Sequence, residues 1–192
     1  MITLAEPFRH DLEVKGSRFI AKAAPVESPD EALGFLARVR EPEANHNVWA
    51  YKIGPLYRFA DDGEPSGTAG RPVLSSIEGQ GLDEIMVVVA RYFGGVKLGA
   101  GGLVRAYSGA AAECLRRAPK RKVVPTVRLR LEAPFELSNA VFYLLEGVQR
   151  ESETYTEQGL QLVFVIEEAA LPAFSDRLRD LSRGRARLER LV

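Results

Sequence analysis

A chain of 192 residues is long enough to bury a sizeable core, and 46% apolar with 27% charged residues is a globular composition that excludes disorder and low complexity. Lysine plus arginine (26) balances aspartate plus glutamate (26), so no overall charge announces a nucleic acid or a membrane. One cysteine, Cys114, and two histidines, His10 and His46, exclude a disulfide framework and the usual cysteine- or histidine-rich metal centre.

Read in chain order, Arg18–Ala23 has the pattern of a strand. Ser28-Pro29-Asp30-Glu31 then opens a helix: a capping hydroxyl, a proline at the first helical position and a carboxylate three residues after the cap. Leu33, Leu36 and Val39 recur at helical spacing until Pro42 stops them. Val48–Ile53 and Leu56–Ala60 read as strands paired across Gly54-Pro55. Residues 61–71 (DDGEPSGTAGR) form a loop, and Val73–Ile77 predicts a short helix ending near Gly79. Ile85–Ala90 is a continuous apolar run suited to a strand buried on both faces. A glycine-rich loop follows at 94–102, then a helix over Leu103–Arg117.

The basic stretch 116–122 reads as a boundary, with Lys120–Lys122 a solvated linker. Beyond it, Val123–Leu131 alternates as a strand and Phe135–Val148 carries a helical face. Glu153–Glu157 and Leu160–Val165 form a hairpin. Leu171–Leu181 is a helix ended by Gly184, and Arg185–Leu191 is a last strand. The order βαββαβ is the ferredoxin-like arrangement. The expected fold class is therefore α+β in two domains, 1–122 and 123–192. The N-terminus lacks the pattern of a signal peptide and no apolar run approaches roughly 18 residues, so a soluble, cytoplasmic chain without membrane contact is expected. Nothing in the sequence calls for a cofactor.

Three constellations carry chemistry. In the first, Gly94, Gly95, Gly99, Gly101 and Gly102 precede a helix, where backbone amides and the helix N-terminus favour anions. Lys97, Arg105 and Arg91 lie where they can neutralise phosphate. The run matches neither the Walker A nor the G-x-G-x-x-G pattern, and glycines that merely permit tight turns are the plain alternative. In the second, Asp61, Asp62 and Glu64 are close enough to share Mg²⁺ or supply an acid/base pair, with His46 as base, although an acidic turn explains them as well. In the third, Trp49, Tyr51 and Tyr92 sit on strands beside basic residues, where exposed rings stack nucleobases and buried rings are simply core. Between Ile85 and Lys122, eight basic residues face only Glu113, an imbalance that attracts phosphates.

Three long words of sequence resemble the IMPACT family in its bacterial, YigZ-type form. They are residues 45–51 (NHNVWAY), 61–72 (DDGEPSGTAGRP) and 88–107 (VVARYFGGVKLGAGGLVRAY). They span most of residues 17–115, with Val48 standing where the family often carries cysteine. The resemblance implies an N-terminal α/β domain of the ribosomal-protein type, as in elongation factor G domain IV, and a ferredoxin-like C-terminal domain. It also implies a link to translation, which eukaryotic members regulate through an added module.

The first functional reading is a noncatalytic RNA- or ribosome-binding protein that influences translation. The second is a metal-dependent enzyme acting on a phosphorylated small molecule or nucleotide through His46, Asp61, Asp62 and Glu64. The third is an adaptor whose C-terminal domain docks a protein partner.

Overall fold

The computed structural model describes residues 1–191, and the chain divides into two compact units, Met1–Val123 and Val124–Val192. The first unit is built on a five-stranded antiparallel sheet. Its strands are β2 (Phe8–Val14), β3 (Ser17–Pro25), β4 (His46–Ile53), β5 (Leu56–Ala60) and β6 (Ile85–Tyr92), in the order β2-β3-β6-β4-β5. Helices α2 (Gly70–Gly79) and α3 (Gly99–Arg117) cover one face, and α1 (Pro29–Val39) covers part of the other.

The continuous apolar run of β6 follows from this layering. Alternate side chains leave opposite faces of a strand, so Val87 and Val89 join Phe19, Val73, Leu74 and Tyr107 on the α2/α3 side. Met86 and Val88 meet Ala32, Phe35 and Tyr51 on the α1 side. A strand wedged between two cores has no solvent face on which to place polar residues. Helix α1 starts as its sequence dictates: the Ser28 hydroxyl accepts from the Glu31 amide at 3.2 Å, and the Glu31 carboxylate accepts from the Glu27 amide at 2.9 Å.

Three strands, β1 (Ile2–Leu4), β2 and β7 (Lys120–Lys122), escape sequence reading. Strand β2 alternates half-buried and exposed residues beneath α3. Residues Lys120–Lys122, expected as a linker, form β7, which pairs antiparallel with β1. A three-residue strand of lysines and arginine has no apolar period, because its pairing is supplied by the backbone alone.

The second unit runs β8 (Thr126–Ala133), α4 (Ser138–Leu144), β9 (Gln149–Thr156), β10 (Gly159–Glu167), α5 (Leu171–Ser182) and β11 (Arg187–Leu191). Its sheet order is β11-β8-β10-β9, every pair antiparallel. Leu129, Leu131, Leu162 and Phe164 face Val141, Phe174 and Leu178 of the helices. The helix expected over Phe135–Val148 is shorter: a 3₁₀ turn over Phe135–Leu137 leads into α4, which stops at Leu144 before Gly147 takes a φ of +77°.

Candidate anion-binding turn and the buried ion pair beside it

Strand β6 delivers the chain to residues 93–98, whose root is pinned and whose tip is open. The Phe93 amide donates to Asn45 Oδ1 at 2.8 Å and the Gly94 amide to Ser17 Oγ at 3.2 Å. Gly94 lies so close to the β2–β3 turn that a Cβ there would stand 2.0 Å from the Gly16 carbonyl carbon. Gly95, at φ +87°, turns the chain outward with open space around it, and Gly95, Val96 and Lys97 are exposed.

Helix α3 begins at Gly99 instead of at Leu103 as the sequence suggests, so Gly99, Gly101 and Gly102 belong to its first turn. Glycine is a poor helix former, which hid this start. No side chain caps the turn, since Leu98 occupies the N-cap position. The leading amides of a helix have no intrahelical acceptor, and they carry the positive end of its dipole. Lys97 and Arg105 are both exposed, and among the described residues no carboxylate lies within ion-pair distance of either.

The acidic loop is built differently. Asp61 reaches across it to cap α2: Oδ2 accepts from the Gly67 amide at 2.9 Å, and Oδ1 from the amides of Ala69 at 3.2 Å and Gly70 at 2.8 Å. Asp62 Oδ2 accepts from the Asn47 amide at 2.6 Å, and its carbonyl lies 2.7 Å from His46 Nδ1. A carbonyl only accepts, so Nδ1 carries the proton and Nε2 faces Glu64 Oε1 at 3.8 Å.

Glu64 is buried, and its Oε1 accepts from Arg91 Nη1 at 2.6 Å and from the Tyr107 hydroxyl at 2.8 Å. Burial, reinforced by the bond to Glu64, raises the Tyr107 pKa far above its ordinary value, so this hydroxyl stays a donor. Arg91 is 6% exposed, with its guanidinium over the rings of Phe19 (5.6 Å) and Phe93 (5.7 Å) and its Nε buried without an acceptor.

Two expectations are corrected by this geometry. Arg91 does not line an anion site, because its charge is consumed by Glu64 inside the protein. Asp61, Asp62 and Glu64 do not converge on a common point: each carboxylate is turned to a separate internal donor. Among the described residues, no group of three or more His, Cys, Asp or Glu side chains is placed to hold a metal ion.

The aromatic constellation also splits. Tyr51 is 7% exposed and stacks on Trp49 with centroids 6.1 Å apart, so it is core and not a platform for bases. Trp49 is half-buried, with Arg58 over its ring at 5.7 Å. Tyr92 donates to Glu41 Oε2 at 2.6 Å and carries Arg18 over its ring at 5.7 Å. Sequence reading missed Glu41, which also takes Lys22 Nζ at 2.7 Å, and it missed Tyr107; neither stands in a pattern that marks it before the strands are aligned. Of the basic residues flanking the turn, Arg116 and Arg117 pair with Glu113, whose carboxyl they hold down at about 2. Lys120 Nζ caps the carbonyls at the end of α3, including Leu115 at 2.7 Å.

The profile described as the Impact N-terminal domain matches residues 15–115, the stretch that contains both loops. The chain is 51% identical to an IMPACT family member of Thermus thermophilus over 92% of its own length and 99% of the relative's. It is 36% identical to the IMPACT family member YigZ of Escherichia coli, over 92% and 90%. A crystal structure of a hypothetical protein aligns with a TM-score of 0.73 at 33% identity, covering 100% of this chain and 97% of the other. Protein IMPACT of Bos taurus shares 35% identity with 48% of this chain and 32% of its own length. The chain belongs to the IMPACT family.

Proposed function

We propose that this protein binds RNA or the ribosome without catalysis and thereby influences translation, holding phosphate at the 94–102 turn and the start of α3. The observation that carries this reading is the conjunction of an exposed turn, a first helical turn without a side-chain cap and two cations, Lys97 and Arg105, that have no carboxylate partner among the described residues. Amide donors and a helix dipole favour an anion, and flanking cations add charge neutralisation. Gly95, Gly99, Gly101 and Gly102 serve by leaving backbone uncovered by side chains, whereas Gly94, whose amide donates to Ser17 Oγ, serves by packing against Gly16.

The link to translation rests on family membership. The βαββαβ order and the β11-β8-β10-β9 sheet support a ferredoxin-like reading of the second unit, and the mixed first unit is assigned to the ribosomal-protein type on the family resemblance. The enzyme reading is weakened by the internal engagement of Asp61, Asp62 and Glu64. Ultraviolet crosslinking in cells followed by sequencing tests the proposal: ribosomal or transfer RNA recovered with the wild-type chain and lost with Lys97→Ala/Arg105→Ala supports it. Equal recovery from both contradicts it.

A further inference from the structure

Strand β5 is one edge of the five-stranded sheet, and it differs from the other edges of the two larger sheets. Edge strands present unpaired N–H and C=O groups, and proteins ordinarily blunt them with charges, bulges or prolines. Strand β2 carries Asp11 and Glu13; β9 carries Glu151 and Glu153 opposite a register shift at Val163/Phe164; β11 carries Glu189. Strand β5 is Leu-Tyr-Arg-Phe-Ala, with Leu56 53%, Tyr57 59% and Phe59 37% exposed and no carboxylate. Its single charge, Arg58, pairs with no acid among the described residues and lies over Trp49.

We infer that β5 is a docking edge that takes an extended peptide strand of a partner protein carrying a carboxylate between two apolar residues. Register sets the motif. Leu56 and Arg58 share the face of Ile53, Tyr51 and Trp49, whereas Tyr57 and Phe59 share the face of Lys52 and Ala50. A strand added antiparallel to β5 places one residue opposite Phe59, the next opposite Arg58 and the third opposite Tyr57. Directly opposed side chains share a face at about 5 Å, so the complement is apolar, acidic, apolar at three consecutive positions. Main-chain bonds supply affinity and these three side chains supply selectivity.

Pairing with a second copy meets an electrostatic obstacle. A two-fold axis normal to the sheet pairs residues of like parity. The registers centred on Tyr57, Arg58 or Phe59 then set the two Arg58 side chains opposite or diagonal on one face, where like charges repel. A nucleic acid would satisfy Arg58, but it cannot match unpaired amides and carbonyls repeating along an extended backbone.

The test selects from a displayed library of random eight-residue peptides on the full chain, then measures one enriched peptide by fluorescence anisotropy. Enrichment of apolar–acidic–apolar triplets is expected. Arg58→Glu should weaken the selected peptide at least tenfold and favour its counterpart with lysine at the central position. Methylating alternate backbone nitrogens of the peptide should abolish binding in one of the two phases. Arg58 is exposed, so an unchanged thermal melt will show that the variant is folded. No enriched motif, or binding indifferent to both Arg58→Glu and N-methylation, overturns the inference. So does a sedimentation dimer that Arg58→Glu dissolves, or an RNA oligonucleotide that requires Arg58 while no peptide binds.

Discussion

Glu64 and Arg91 form a buried ion pair, 2.6 Å from Oε1 to Nη1, that joins the acidic loop to the end of β6 inside the first unit. Tyr107 adds a hydroxyl from α3 to the same oxygen, so three separate elements meet on one carboxylate. Removing one member of such a pair strands the other charge in the interior, which costs about 3–5 kcal/mol. Glu64→Gln is therefore expected to lose stability on that scale in urea denaturation. Glu64→Gln combined with Arg91→Met should recover most of the loss, because neither replacement carries a charge and the amide oxygen can still accept from the Tyr107 hydroxyl. A single-variant loss below about 1 kcal/mol would show that the pair is effectively solvated.

The two adjacent glycines of the turn should behave differently. At Gly95 the left-handed backbone is strained for alanine but the space is open, so Gly95→Ala should cost about 1 kcal/mol. At Gly94 a methyl group would overlap the backbone of Gly16, which cannot rotate away. Gly94→Ala is expected to cost at least twice as much. Equal losses would mean that the turn and the β2–β3 connection are not in contact.

Asp83 gives a pH prediction. Burial draws its carboxyl upward, but bonds from Lys52 Nζ at 2.9 Å and from the amides of Glu84 at 2.8 Å and Gly54 at 2.7 Å outweigh burial and hold it below the ordinary carboxylate range. A carboxyl whose folded pKa lies below its unfolded value of about 3.9 contributes stability that is full above that value and lost as pH falls through the folded one. The melting-temperature difference between wild type and Asp83→Asn should be largest near neutrality and shrink below about pH 4. A difference independent of pH would assign the effect to geometry instead of charge.

Cys114 should be inert in the folded state. Burial pushes its thiol up to about 12, and Sγ sits 3.6 Å from the Ala21 carbonyl in the core. Attack by a disulfide reagent needs the thiolate, so labelling at pH 8 should appear only after denaturation. Rapid labelling of the native protein would contradict this packing.

Local signals account for what the sequence revealed. Ser28, Pro29 and Glu31 announce α1 through groups a few residues apart, and the apolar run of β6 announces a strand covered on both faces. Long-range pairing explains what stayed hidden. Strand β7 exists because Met1–Leu4 lies beside it, and α3 starts among glycines because β6 and Ser17 fix the chain just before it. In the candidate site, Lys97 and Arg105 stood out by charge and proved exposed. Arg91 carried the same charge, yet its fate was set by Glu64, 27 residues away, a distance that no local pattern spans.

The cradle at the turn is tested most directly by titrating a fluorescent single-stranded RNA with the protein over a range of salt concentrations. Binding of phosphate there predicts that log affinity falls linearly with log salt, and that Lys97→Ala and Arg105→Ala each lower the slope by about one, with little change in sequence preference. Unaltered affinity and slope in both variants, with the folded state intact, would contradict it.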